Sequence, residues 1–261
     1  MQTSPLSPAD ALRWYLAAGV DEVIGEEPVD RYAQSAKPAT RAPLTQAAAA
    51  AIPARPQQPE VVSSAHLAMT VTNLAELKAA MESYDGCALK KTCQQTVFAD
   101  GDPSARLMIV GEAPGADEDR LGLPFVGASG KLLDRMLASI GLDRTRAYIT
   151  NVVPWRPPGN RKPEPTEVEL CLPFITRHIE LVDPAVLLLL GGASVSALLA
   201  RTDSITRLRG GFIDYSSPRL ARPIPAMPTF HPAYLLRTPL AKREVWRDLL
   251  LVRQKLDTSA V

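Results

Sequence analysis

The sequence predicts an α/β domain of three layers, in which helices cover both faces of a mainly parallel sheet. Short apolar stretches alternate with amphipathic helical patterns along most of the chain. One stretch, residues 185–190, is apolar at every position, as expected for a parallel strand covered on both faces. In such a fold, ligands bind at the edge of the sheet where the parallel strands end.

Composition excludes several classes of protein. Among 261 residues, 29 are Lys or Arg and 28 are Asp or Glu, so the net charge of +1 favours no polyanion or membrane surface. A surface for nucleic acid would therefore have to be a local patch. The longest apolar run is too short to cross a membrane. Three cysteines argue against a disulfide framework and favour a reducing, cytoplasmic compartment.

The chain is expected to have three parts. Residues 1–33 form an extension with a short helix near residues 8–18, which begins at a capping box at Ser7 and Asp10. Residues 34–69 are rich in Ala and Pro and predict a flexible linker, because they cannot bury enough apolar surface to offset chain entropy. Residues 70–261 form the folded domain. Two roles stay open for the first helix, which could bind an unknown protein or dock on the domain.

Within the domain, helices and strands follow one another in order. Asn73 and Glu76 predict the start of a first helix, which ends near Gly86. The strands are predicted at residues 107–110, 147–153, 185–190, 212–215 and 227–230. The later helices are predicted at residues 129–140, 166–181, 192–199 and around 246–253.

Three loops that follow predicted strands carry the chemistry. The first, residues 111–119, is rich in Gly and carries four carboxylates, which would repel a phosphate. The second runs from Asn151 through a Pro- and Arg-rich segment, and the third runs from His231 to Arg237. Their convergence at one sheet edge would combine a carboxylate, an amide, an imidazole and guanidiniums. That set suits a planar base held beside a phosphate backbone.

These loops resemble the uracil-DNA glycosylase superfamily, most closely its family-four, thermophile-type branch. The matching motifs are Gly111–Gly115, Pro124–Gly127, Asn151, Arg156–Arg161 and His231–Arg237. The resemblance implies an enzyme that flips uracil out of DNA and hydrolyses its N-glycosidic bond, leaving an abasic site for base excision repair. It also implies a monomer whose partner is uracil-containing DNA.

The resemblance assigns roles to residues around the base. Glu112 would position the hydrolytic water, and His231 would donate a hydrogen bond to O2 of the departing uracil anion. Asn151 would read N3–H and O4 of uracil. Phe125 would stack on the base. The remaining uracil-binding positions would be Ala113, Gly115 and Glu118.

The resemblance also suggests how DNA is held. The candidate phosphate-binding side chains are Lys131, Arg156, Arg161 and Arg237. Leu235, with Leu236 as second choice, takes the position of the wedge that fills the space left by the flipped base.

The cysteines depart from the family pattern. Family-four enzymes usually bind a four-iron, four-sulfur cluster through four cysteines. Cys87 and Cys171 match the first and fourth, but Lys90 and Trp155 stand at the second and third. We therefore expect no cluster and no metal. A site built from Cys87, Cys93, Cys171 and an outside ligand remains the alternative.

Two further alternatives remain at this stage. One branch of the superfamily traps the abasic sugar through a histidine near the Arg-Pro-Pro segment, but none of His66, His178 and His231 stands there, so hydrolytic turnover is expected. The competing function is a DNA damage-binding protein of the same fold that lacks activity or holds its product tightly. A nucleotide-binding α/β enzyme unrelated to DNA is a third hypothesis.

Overall fold

The computed structural model describes Ala9 and residues 63–258. The chain divides into two compact units, Met1–Arg55 and Pro56–Val261. Apart from Ala9, which is helical, the predicted helix near residues 8–18 lies outside the described residues, as does the linker up to residue 62.

A six-stranded sheet confirms the predicted fold class. Its strands are β1 (Asp100–Gly101), β2 (Leu107–Gly111), β3 (Tyr148–Asn151), β4 (Val186–Leu190), β5 (Ile213–Tyr215) and β6 (Ile224–Thr229). They lie in the order β1-β3-β2-β4-β6-β5. The four central strands are parallel, and each edge strand is antiparallel to its neighbour. The carboxyl ends of β2, β3, β4 and β6 therefore share one edge.

Helices connect and cover these strands. They are α1 (Ser64–Thr70), α2 (Leu74–Ser83), α3 (Ala116–Leu121), α4 (Ala128–Ser139), α5 (Pro165–Val182), α6 (Gly192–Leu199), α7 (Ile205–Leu208), α8 (Pro232–Arg237) and α9 (Lys242–Thr258). None of these described helices is long and apolar enough to cross a membrane.

The sheet separates two hydrophobic cores. Strand residues alternate between them, so that Met108 and Val110 face one core while Leu107 and Ile109 face the other. The first core is closed by α1, α2 and α5, and the second by α4, α8 and α9. All five residues of β4 are buried, which explains its uninterrupted apolar run.

Several boundaries differ from the sequence prediction, and two of them have a clear physical reason. Helix α1 begins at Ser64, within the expected linker, because Ser63 caps its first turn and Ala68 is buried in the core. Helix α5 begins at Pro165 rather than Thr166, because Glu164 and Glu167 form the capping box with proline at the first helical position. At α2 the predicted cap is present, since Asn73 Oδ1 accepts from the Glu76 amide at 2.9 Å.

Candidate active site

A candidate base-binding site, called the slot below, lies at the carboxyl edge of the sheet, where β2 and β3 end. Gly111 and Asn151 are partners in the parallel ladder and are the last residues of their strands. A Cβ atom on Gly111 would collide with both the Asn151 amide oxygen and the Phe125 ring. The glycine is therefore required for these side chains to approach one another across the backbone.

Asn151 is a buried amide with an unused acceptor. Asn151 is only 4% exposed to solvent. Within the part of the chain that the structure describes, Oδ1 is the buried side-chain atom that lacks a hydrogen-bond partner. Leaving such an atom unpaired costs about 1–3 kcal/mol, so the arrangement indicates a ligand that donates a hydrogen bond there.

Phe125 forms one wall of the slot in a strained backbone conformation. Its φ is 55°, in the left-handed region that a residue with a side chain adopts at a cost of roughly 1–2 kcal/mol. The ring is buried and lies 5.6 Å from the His231 ring, with 32° between the planes. The slot is thus bordered by one aromatic face, one amide and one imidazole.

His231 follows β6 and caps helix α8. Its Nδ1 accepts a hydrogen bond from the Ala233 amide at 3.1 Å, which leaves the proton of the neutral ring on Nε2. Burial, aided by the positive charge of Arg237, lowers the pKa of His231 to about 4. The ring is therefore a neutral donor at physiological pH. Gly191, at φ 91°, lets the backbone after β4 pack against it.

Glu112 directly follows the slot glycine. Burial raises the pKa of its carboxyl group, while the positive charge of Lys162 opposes this shift. Its carbonyl accepts from the Val153 amide at 3.0 Å, which ties the loop after β2 to the loop after β3. The arrangement supplies a partly buried carboxylate beside the slot, as a water-activating base requires.

Glu118 organises the loops around the slot. One of its oxygens accepts from the amides of Val126 and Gly127 at 3.0 Å, and the other accepts from Gly115 at 3.1 Å. The family resemblance predicts that Glu118 and Gly115 contact the base. In the structure the two bind each other, so this carboxylate positions the loop rather than facing a base with a free oxygen.

The predicted DNA-contacting cations divide into two groups. Lys131 and Arg237 are exposed near the amino end of α4 and the carboxyl end of α8. Arg156 donates to Asn160 Oδ1 at 2.7 Å and lies 3.8 Å from the Asp119 carboxylate. Arg161 gives both terminal nitrogens to Glu167, at 2.8 and 2.6 Å. The expectation that Arg161 binds phosphate is thus weakened, because it joins the Pro-rich loop to α5.

The expected wedge residue is placed differently from the prediction. Leu235 is 1% exposed and belongs to the second core together with Leu133 and Val245. It cannot enter a DNA stack without leaving that core, which argues against its assignment as the wedge. The second choice, Leu236, is 46% exposed on the outer face of α8.

The positions implied for an iron–sulfur cluster do not fit one. The Cys87 and Cys171 thiols hydrogen-bond each other, which lowers the pKa of Cys87 to about 7 and raises that of Cys171. The Lys90 ammonium is bound to the Glu82 carbonyl and to Asp85. Two thiols in contact cannot supply the four thiolates that a cluster requires.

Aromatic side chains fill the space at this side of the domain. Trp155 is fully buried, lies 6.2 Å from the Tyr84 ring in a stacked arrangement, and donates from Nε1 to Thr96 Oγ1 at 3.0 Å. Phe174 on α5 meets Tyr84 edge-on at 5.3 Å. Across Ala9 and residues 63–258, no group of three or more His, Cys, Asp or Glu side chains is arranged to hold a metal ion.

The other two histidines lie away from the slot chemistry. His178 is buried on the side of the sheet that holds the first core. Its Nε2 hydrogen-bonds the Tyr148 hydroxyl at 2.8 Å, and its ring stacks on Phe98. Burial lowers its pKa to about 3. His66 lies exposed on α1.

Sequence reasoning missed three residues that shape the site. Lys162 acts electrostatically on Glu112, Gly191 makes room for His231, and Arg144 holds the backbone of Phe125. Lys162 was visible as part of a basic loop. Arg144 lies in a turn after α4 that carries no motif, so only the three-dimensional structure identifies it.

Comparison with known proteins gives consistent matches. A family model described as the uracil DNA glycosylase superfamily matches residues 98–250. The type-4 uracil-DNA glycosylase of Sulfurisphaera tokodaii is 37% identical over 187 residues, which cover 70% of this chain and 84% of the relative. That of Archaeoglobus fulgidus is 42% identical, over 62% of this chain and 82% of the relative. That of Thermotoga maritima is 40% identical, over 58% and 77%.

Proposed function

Because the chain belongs to the uracil DNA glycosylase superfamily, with type-4 enzymes among its relatives, we propose that it excises uracil from DNA. The reaction is hydrolysis of the N-glycosidic bond, which leaves an abasic site and begins base excision repair. The partner is uracil-containing DNA, from which the target nucleotide must be flipped out of the stack.

The unpaired oxygen of Asn151 is the observation that carries this proposal. Uracil presents N3–H as a donor beside O4 as an acceptor, so it pairs with both ends of a side-chain amide. Cytosine presents the opposite sense and would leave Oδ1 facing another acceptor. Gly111 lets the Phe125 ring and the Asn151 amide come together, so a flat base that stacks on the ring would present its edge to Asn151.

His231 and Glu112 supply the chemistry of bond cleavage. As the bond to the sugar breaks, negative charge spreads onto O2 of uracil, and the neutral His231 ring can donate to it from Nε2. The sugar becomes cation-like. The Glu112 carboxylate would hold the attacking water and stabilise that positive charge. Ala113 borders the same loop, and Glu118 keeps it in place through Gly115.

Excision can be tested directly with oligonucleotides that carry one uracil, either single-stranded or opposite G or A. We expect alkali-labile sites to form at the uracil and His231→Ala to slow their formation by roughly 10²–10³-fold, as for the loss of one oxyanion donor. His66→Ala is the matched control because His66 is exposed on α1.

The alternative function predicts a different result. A damage-binding protein without activity would leave the strands intact and would shift labelled DNA in a salt-sensitive manner. A band that survives boiling in detergent would instead indicate covalent trapping. The burial of His178 and the outward position of His66 on α1 support turnover by hydrolysis.

We propose that DNA is held through Lys131, Arg237 and the exposed face of Arg156, with Leu236 as the wedge. Lys131 and Arg237 are exposed, Arg156 is partly exposed, and Leu236 stands next to Arg237 at the end of α8. A monomer suffices, because all of these groups come from one chain. Sedimentation of the protein with and without a uracil-containing duplex would test this stoichiometry.

We also propose that the protein works without an iron–sulfur cluster. Lys90 and Trp155 occupy two of the four positions that would need cysteine, and both side chains are engaged elsewhere. Iron and sulfide analysis of protein purified without oxygen tests this proposal. Less than about 0.1 iron per chain is expected, whereas four irons per chain, as in a complete cluster, would overturn it.

We propose a cellular compartment from the cysteines and a role for the amino-terminal extension. Free thiols at Cys87, Cys93 and Cys171 support a reducing compartment, which we take to be the cytoplasm. A role for residues 1–33 in binding another protein would be supported if their deletion left excision unchanged but removed a co-purifying partner.

A further inference from the structure

Phe125 can stack on a base only if the backbone on either side holds the ring in place. Its φ of 55° is a conformation that a phenylalanine does not adopt without support from its surroundings. Glu118 binds the amides of Val126 and Gly127, which fixes the chain after the ring. The carbonyls of Pro124 and Phe125 need a separate partner.

That partner is Arg144. Its Nη1 donates to the Pro124 carbonyl at 3.1 Å, and its Nη2 donates to the Phe125 carbonyl. The guanidinium is itself fixed by two carboxylates, Asp100 on β1 and Asp134 on α4, each at 2.7 Å. A planar fork held in this way can bridge two successive carbonyls, which a lysine ammonium cannot do with the same geometry.

Packing on the other side leaves the Phe125 carbonyl little freedom. A Cβ atom on Gly130 would overlap that carbonyl, so α4 lies directly against it. The carbonyl is therefore confined between the backbone of α4 and the Arg144 guanidinium, which is itself paired with carboxylates on α4 and β1. Arg144 itself lies outside the three loops and is not part of any motif.

We propose that Arg144 is a positioning residue for base recognition, which sets the Phe125 ring at the angle needed to stack on the flipped uracil. This inference rests on the proposed function. Arg144 need not touch the substrate, and its effect on excision passes through Phe125. A displacement of about 1 Å at a reacting or stacking group can cost up to 10²-fold in rate.

A double-mutant cycle tests this route. Arg144→Gln should slow single-turnover excision about 10- to 100-fold in the wild-type background, and less than about twofold when Phe125 is already replaced by Ala. Arg146→Gln is the control, since Arg146 is exposed and donates only to the Gly141 carbonyl, at 3.3 Å, among the described residues. Equal losses in both backgrounds would overturn the proposal, because Arg144 would then act through the fold in general.

Two additions keep the cycle decisive. If Arg144→Gln does not fold, Arg144→Lys completes the same cycle with the charge retained. Calorimetric binding of free uracil to the same proteins gives a second cycle without bond cleavage. A wild-type protein that binds uracil but excises none would overturn the proposed function, whereas additive losses of uracil binding would overturn the role of Arg144.

Discussion

Asn151 and Trp155 lie four residues apart, yet their polar groups end in opposite situations. The Asn151 oxygen is buried without a partner beside a strained Phe125. The Trp155 nitrogen is bonded to Thr96, and its ring is stacked and fully covered. The first region carries unmet interactions that a ligand can complete. The second is complete within the protein.

The difference separates residues kept for a reaction from residues kept for packing. An unpaired acceptor and a phenylalanine in the left-handed backbone region both lower the stability of the free protein. Such costs are expected at a site that binds a substrate. On the cysteine side, an aromatic group occupies a position where relatives of the predicted branch would carry a metal ligand. There, stability would depend on apolar burial rather than on a cofactor.

The largest effect on stability is expected at Trp155. Trp155→Ala should lower the free energy of unfolding by about 3–5 kcal/mol, because it removes a fully buried ring and leaves a cavity against Tyr84. Urea unfolding measures this loss. Excision per folded molecule should stay within a few fold of wild type at low temperature. A large loss of rate in a fully folded sample would contradict the separation of the two regions.

The opposite pattern is expected at Asn151. Asn151→Leu keeps the volume but removes the unpaired oxygen, so excision should fall roughly 10²–10³-fold while stability is unchanged or rises by about 1 kcal/mol. Asn73→Ala provides the reciprocal control. It removes a helix cap worth about 1 kcal/mol and should leave excision intact. A marked loss of stability in Asn151→Leu would mean that the amide has a structural partner.

Neighbouring leucines extend the comparison to α8. Leu235→Ala should cost about 2–5 kcal/mol of stability, because the side chain is in the second core. Leu236→Ala should change stability by less than about 0.5 kcal/mol but should weaken excision from duplexes more than from single strands. Thermal melts and paired rate measurements give both values. Equal rates for Leu236→Ala on both substrates would remove it as the wedge.

The smallest effect concerns pH. Burial raises the pKa of Glu112, so a reaction that needs its carboxylate is fully active above that pKa and is lost as the pH falls through it. Lys162→Gln removes a charge that lowers this pKa and should therefore move the acid limb of the rate profile to higher pH. His231, with a pKa of about 4, stays neutral above that pH. An unmoved limb in single-turnover rates would exclude Glu112 as its source.

The sequence predicted the sheet because its signals are local. Buried parallel strands are apolar throughout, and the helix cap at Asn73 follows a short rule. Boundaries failed where tertiary packing decides them. Ala68 is buried because α5 packs against α1, so residues 64–69 were predicted to be linker. The edge strand β1 has two residues and no periodicity to detect.

The sequence predicted which chemical groups form the site, but not which way each side chain faces or which neighbours it binds. Motif residues identified Asn151, Phe125, His231 and Glu112, and the structure brings the first three around one slot. Spacing could not show that Leu235 faces inward, because the sequence does not state which side of α8 meets the core. Nor could it show that Glu118 is hydrogen-bonded to backbone amides and that Arg161 is paired with Glu167.

Gly111 limits how the preference for bases can change during evolution. The floor of the slot is backbone, placed by the pairing of Gly111 with Asn151 in the sheet. Any larger residue at Gly111 would place a Cβ atom against the Asn151 amide and the Phe125 ring, and would displace both proposed base-binding groups. A changed preference for bases is therefore expected from substitutions of Asn151 or Phe125 themselves rather than of Gly111.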